Sequence, residues 1–147
     1  MKKYKFGFTL IELLVVIAII GILSSIVLVS LKTSRDKAKD ASIKQQLVQL
    51  RSQGALYFSN NNNYGTAVGG SCDAVLGTLF GDSTISPIIT AVKALSGSTN
   101  VACYSTAGGS AAYAVSAKLV LGSNKHWCVD SSSASKEITG AVPDTSC

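Results

Sequence analysis

Proline is nearly missing from this chain: it occurs twice in 147 residues, as Pro87 and Pro143. Residues 8–59 therefore contain no obligatory helix breaker. Histidine and tryptophan occur once each, as His126 and Trp127. With a single histidine and no Cys-x-x-Cys pair, the sequence gives little support to a zinc site. No Gly-x-Ser-x-Gly elbow is present and no acid is evident to orient His126, so hydrolase chemistry has no foundation and no catalytic residue is expected. No asparagine lies in a glycosylation sequon and no internal repeat is evident. From Ser52 onward there are four basic and five acidic residues, about −1 in all, without a basic patch interleaved with aromatics. The basic pI of about 9.1 is thus no argument for direct nucleic-acid binding.

What the chain does have is a basic stub carrying Lys2, Lys3 and Lys5, then Gly7-Phe8-Thr9-Leu10-Ile11-Glu12, then an apolar run from Leu13 to Leu31. The lysines lie on the side that tends to remain cytoplasmic. As a helix, Phe8 to Leu31 would extend about 36 Å, enough to cross a hydrocarbon core of about 30 Å with some tilt. The run is too long for an ordinary secretory signal, and no Ala-x-Ala-like cleavage site follows it. No cysteine near its start suggests lipid attachment. Glu12 is the one ionisable group in the segment, and a carboxylate in hydrocarbon costs several kcal/mol unless it is partnered.

The ordered string GFTLIELLVVIAIIGIL resembles the processing site of type IV pilins and type II secretion pseudopilins, the prepilin family. The resemblance covers residues 1 to about 60 and is architectural beyond that. It implies cleavage after Gly7 by a prepilin peptidase and N-methylation of Phe8. It further implies that Thr9, Leu10, Ile11 and Glu12 serve assembly, with the Glu12 carboxylate neutralising the new Phe8 amine of a neighbouring subunit. An intrachain Phe8–Glu12 pair is the competing arrangement. Many family members carry a proline in the second half of the run; here Gly21 and Ser24-Ser25 are the only weak points, so a local break there stays open.

Charge and cysteine place the remaining features. Removing the three leader lysines lowers the net charge from +5 to +2, and Lys32 to Arg51 carries six basic and two acidic residues. That cluster reads as a solvated helix face, or as a surface for acidic heads or lipid phosphates. Cys72, Cys103, Cys128 and Cys147 all follow the apolar segment, and an even count in an exported domain favours disulfides. Of three possible pairings, Cys72–Cys103 with Cys128–Cys147 is preferred, because each closes a moderate loop and the second ties down the carboxyl-terminal segment. Asp130, with Ser131 to Ser133 and Glu137, has oxygens for calcium, as a loop of some secretion pseudopilins does. The spacing matches no defined calcium signature, so no cofactor is expected.

The pattern along the chain predicts an α+β fold of type IV pilin-like form: a long amino-terminal helix, half transmembrane and half amphipathic, packed on a small antiparallel sheet. The expected divisions are a cleaved leader at 1–7, a membrane and filament-core helix at 8–31, its amphipathic continuation at 32–59 and a globular head at 60–147. Ile43, Leu47, Leu50, Gly54 and Tyr57 recur at helical period as the core stripe, with Lys37, Lys44 and Arg51 opposite. Asn60 to Asn63 should end the helix. Residues 65–83 and 96–111 read as loops, with a short helix between them, capped by Ser83 or Ser86, holding Pro87 in its first turn and stopped by Gly97. Tyr113 to Leu119, His126 to Asp130 and Lys136 to Thr139 read as strands. His126 is expected at a surface or sheet edge, and Trp127 in the core.

The expected function is structural: a single-pass precursor in the cytoplasmic (inner) membrane, its head outside the cytoplasm, assembled into a helical homopolymer. The resemblance implies a prepilin peptidase, a platform membrane protein and an assembly ATPase as partners. The filament would be extracellular or periplasmic. A disulfide-closed carboxyl-terminal loop inclines this reading towards a surface pilus, for adhesion, motility or DNA uptake, over a secretion pseudopilus. A signal-anchored binding domain that never polymerises is the alternative from another class.

Overall fold

The computed structural model describes residues 7–70, 72–108 and 111–147; the basic leader, apart from Gly7, lies outside them. The chain divides into two compact units, up to Arg35 and from Asp36 to Cys147. Helix α1, Leu10–Asn61, contributes to both.

In the first unit, α1 is continuous through Gly21 and Ser24-Ser25, so no break occurs at these positions. Ser25 donates its hydroxyl to the Ile22 carbonyl at 2.8 Å, and Thr33 donates to the Val29 carbonyl at 3.3 Å. These back-bonds satisfy the hydroxyls inside the helix itself, which is how such residues are accommodated in an apolar segment. The large aliphatic side chains from Leu10 to Leu31 are exposed without exception, and no part of the most apolar window is buried.

In the second unit, α1 buries Asp40, Ile43, Leu47, Leu50 and Gly54, alternating steps of three and four that keep one face inward. Their cover is a five-stranded antiparallel meander, built from β1 (Val68–Gly69), β2 (Val101–Ser105), β3 (Tyr113–Lys118), β4 (Lys125–Asp130) and β5 (Ser135–Thr139), in spatial order β1-β2-β3-β4-β5. Helix α2, Ser86–Ser96, contributes Ile88, Ile89 and Val92 to the same core as Val101, Cys103, Tyr113, Val115 and Ala117. The α+β class expected from the sequence is the one observed.

Several local expectations are corrected. The stretches read as loops contain β1 and β2, whose small side chains (Ala102, Cys103, Ser105) mute the period-two signal although burial alternates strictly along β2. Neither Ser83 nor Ser86 caps α2: Ile85 occupies that position without a side-chain bond, and the Asp82 carbonyl accepts the Ile85 and Ser86 N–H groups instead. Pro87 does lie in the first turn, and Gly97 ends the helix at φ 101°. Lys44 and Arg51 are not on a free solvated face. The Lys44 ammonium sits 4.8 Å from the Trp127 ring centroid, and the Arg51 guanidinium donates to the Ser133 carbonyl at 2.8 Å.

The helix ends where the asparagines begin to favour local bonds over helical ones. Asn62 takes φ 55° and its N–H returns to the Phe58 carbonyl at 2.7 Å, while the Asn61 amide donates to the Tyr57 carbonyl at 2.9 Å. The far face of the sheet is covered by the segment after β5. There Val142 is buried and donates its N–H to the Ser116 hydroxyl at 2.9 Å, Cys147 donates its N–H to Asp130 at 2.9 Å, and Cys147 is bonded to Cys128. Cys72 is bonded to Cys103, closing a separation of 31 residues against 19 for the other bridge. Loops of those sizes restrict the unfolded chain by about 3–4 kcal/mol each in a chain-entropy estimate.

The tightest approach in the core is at Gly54. A Cβ there would lie 2.6 Å from the Tyr113 hydroxyl oxygen and 2.9 Å from the ring carbon bearing it, and Tyr113 is itself buried beside Tyr64. Alanine in a helix interior is ordinarily worth about 0.5–1 kcal/mol over glycine. Here overpacking of about 1–3 kcal/mol opposes that gain. Gly54→Ala should therefore lower stability in chemical denaturation of the full chain in detergent. An equal or higher midpoint would show that Tyr113 moves aside freely.

Candidate functional site

The residues singled out at the amino terminus lie together at the start of α1. Gly7, Phe8 and Thr9 precede the helix without regular structure, and Phe8 is 82 % exposed. A bond that a peptidase must reach is best placed in such backbone, since a helical segment would first have to unwind. The Gly7–Phe8 bond meets that requirement.

Thr9 and Glu12 form a reciprocal cap. The Glu12 carboxylate accepts the Thr9 N–H at 2.9 Å and the Thr9 hydroxyl at 2.7 Å, while the Thr9 hydroxyl oxygen lies 3.3 Å from the donating Glu12 N–H. This is the capping-box arrangement, and the Thr-x-x-Glu spacing that signals it is plain in the sequence. In this chain the Phe8 nitrogen is an amide, and the cap gives the lone acid its local partners. Leu10 and Ile11, between the two capping residues, are 88 % and 73 % exposed. They offer surface to lipid or to another helix, left open among the described residues.

The head supplies no comparable chemical constellation. All four cysteines are in disulfides. Among the described residues no group of three or more His, Cys, Asp or Glu is arranged to hold a metal ion. The Asp130 carboxylate accepts the Ser132 and Ala134 N–H groups, the Ser132 hydroxyl and the Cys147 N–H, all between 2.7 and 2.9 Å. Burial opposes its charge, but these donors outweigh that cost and hold the carboxyl below its ordinary range. Glu137 lies opposite Trp127 in the β4–β5 register and pairs with Lys125 at 2.7 Å, so the two acids considered for calcium are engaged separately.

One residue differs from its sequence reading. His126 is neither at the surface nor on an edge strand: β4 lies between β3 and β5, and His126 is only 6 % exposed. Trp127 is partly buried against the core, with its indole N–H unpaired. Asp40 was not anticipated. It is buried on α1 and accepts the Val120 N–H at 2.6 Å and the Leu121 N–H at 3.1 Å, fastening the β3–β4 turn to the helix. An aspartate among lysines reads as solvated, so no sequence signal marks it.

The family described as the prokaryotic N-terminal methylation motif matches residues 2–28. The amino-terminal segment carries that motif. Type II secretion system core protein G of Dickeya chrysanthemi is 36 % identical over 87 residues, covering 59 % of this chain and 54 % of that protein. The Aeromonas hydrophila protein of the same name is 38 % identical over 65 residues, covering 44 % and 46 % respectively. That of Escherichia coli strain K12 is 38 % identical over 60 residues, 41 % of each. The chain thus spans about half the length of the curated relatives it matches. No solved structure gives a significant match.

Burial, and secondarily the Lys118 charge, push the His126 imidazole below its ordinary value. A histidine depressed in the folded state binds fewer protons there than in the unfolded chain, so stability falls as pH drops below about 6.5. Asp130, held low, adds a second loss only below about pH 4. Denaturation midpoints of the full chain should accordingly decline between pH 7 and 5, and His126→Leu should flatten that decline. A decline of equal slope in the variant would remove His126 as its source.

Proposed function

We propose that this chain is a structural subunit of a type IV pilus-like filament, made as a membrane-held precursor, cut after Gly7 by a prepilin peptidase and N-methylated at Phe8. The observation that carries this reading is the junction itself. An accessible Gly7–Phe8 bond leads directly into a helix whose first turn holds a single acid and whose next turns expose only apolar side chains.

Cleavage would create a cation at Phe8, one helical turn before Glu12. An unpaired charge in hydrocarbon is costly and a paired one much less so, which favours the stagger that brings one chain's acid to another chain's amine. Packing of like apolar helices would supply the remaining association energy, because moving such a helix from lipid to a helix bundle changes its hydrophobic energy little. Thr9, Leu10 and Ile11 would line that contact. The extraction and polymerisation steps would require a platform membrane protein and a cytoplasmic ATPase. The role is architectural, and no step of it needs a catalytic group in the head.

A secretion pseudopilus is the second reading. The relatives named type II secretion system core protein G favour it, although their similarity is confined to about half of their length. The carboxyl-terminal loop closed by Cys128 and Cys147 favours a surface pilus. Sheared surface material probed for this chain separates the two: long filaments indicate a pilus, and their absence alongside a secretion defect in a deletion strain indicates a pseudopilus.

Two outcomes test the shared core of both readings. The intact mass of the membrane-extracted protein should match loss of residues 1–7 plus one methyl group; an uncut terminus would indicate the non-polymerising anchored domain instead. Glu12→Ala should leave cleavage intact and reduce filament yield by about tenfold or more, as expected when an interaction of a few kcal/mol is lost. Undiminished filaments would refute the pairing role.

A further inference from the structure

We propose that the β3–β4 turn docks the head on anionic phospholipid headgroups while the chain is a membrane-held monomer, with Val120 and Leu121 entering the interface and nearby lysines meeting lipid phosphates. The proposal rests on the reading of Phe8–Leu31 as a membrane span and is independent of filament formation.

Four observations within the second unit converge on this turn. Leu119 is buried, yet the next two residues, Val120 and Leu121, are 39 % exposed each, an unusual placement for two consecutive large aliphatic residues at a turn rich in Gly, Ser and Asn. The turn is not loose: Asp40 accepts both of their N–H groups, and the Leu119 N–H bonds to the Lys125 carbonyl at 2.8 Å, so the apolar pair is held out at a fixed place. Lys37 and Lys39 flank Asp40 on α1 and are exposed, while Lys118 ends β3 immediately before the turn. Among the described residues no ion pair reaches Lys37, Lys39 or Lys118. The acids nearby do not cancel the cations: Asp40 is directed at the turn, Glu137 is taken by Lys125, and Asp36 alone remains among six basic residues between Lys32 and Arg51.

The choice of lipid as occupant follows from chain length and charge. Asp40, which fastens the turn, follows the end of the apolar run at Leu31 by only nine residues of chain. The lysines in that stretch can extend along apolar surface while keeping the ammonium in a polar layer. A basic surface with a short apolar tip is the composition that binds an anionic interface by insertion and attraction together.

The test uses the full chain in vesicles of phosphatidylcholine, with or without phosphatidylglycerol. Leu121→Trp is placed in a Trp127→Phe background, where the unpaired Trp127 indole N–H makes phenylalanine a fair substitute. Expected are a blue-shifted emission and quenching by lipids brominated near the headgroup, stronger by about twofold with phosphatidylglycerol, and reduced to the neutral-lipid level by combined Lys37→Gln, Lys39→Gln and Lys118→Gln. In the unaltered chain, amide exchange across residues 118–125 should slow on the anionic vesicles. An unquenched, water-like emission in a chain that floats with the vesicles, together with unchanged exchange, would overturn the docking and leave the membrane span standing. A blue shift that grows with protein-to-lipid ratio without bromine quenching would place a second copy on the turn and overturn it equally. A chain that fails to float would overturn the span and the docking together.

Discussion

Aliphatic surface that the chain itself leaves bare is the constraint from which the rest follows. From Leu10 to Leu31 the large side chains lie in the open, along a helix whose backbone is satisfied internally. Burial of such surface is worth about 25 cal/mol per Å². A free aqueous state is therefore closed to it, and two covers are available: lipid acyl chains or the equivalent segments of other copies. Since these covers are almost equally apolar, passage from one to the other is governed by the few polar groups embedded in the segment.

Glu12 is foremost among them. Its carboxylate is held by Thr9 through both backbone and hydroxyl, which gives the acid a resting arrangement that depends on nothing outside one helical turn. Serine and threonine further along bond back to the helix and ask for no partner. Glu12 is thus the one ionisable group between Phe8 and Leu31, placed in the first turn of the helix. Past Arg35 the same helix changes role, and its alternating stripe becomes one wall of the head core.

The parts of this fold that repeat at a regular period were legible from the residues. The apolar run, the stripe at Ile43, Leu47, Leu50 and Gly54, the asparagine stop and the alternation of β3 all carry dense periodic signals. β2 was not legible, because Ala102, Cys103 and Ser105 are small and sit between Gly- and Ser-rich segments, so tertiary pairing with β3 decides its conformation. Lys44, Arg51 and Asp40 share a lesson: a charged residue on a helix reads as solvated, whereas here each is committed to a specific group on the sheet or its turns. At the amino terminus, the Thr9–Glu12 cap was not anticipated, although its Thr-x-x-Glu spacing carries the signal. The same two residues are the ones proposed to serve assembly.

The carboxyl-terminal strap has a bearing on when the head can be finished. It lies over one face of the sheet, joined to it by Val142 packing, by bonds to Ser116 and Asp130, and by the bridge to Cys128. Thiols remain reduced in a cytosol-like environment and are oxidised beyond it. Polypeptide detained before export would hold that face with noncovalent contacts alone, leaving a half-covered sheet open to solvent. For a head carried to the oxidising side, as proposed, maturation and arrival would be a single event.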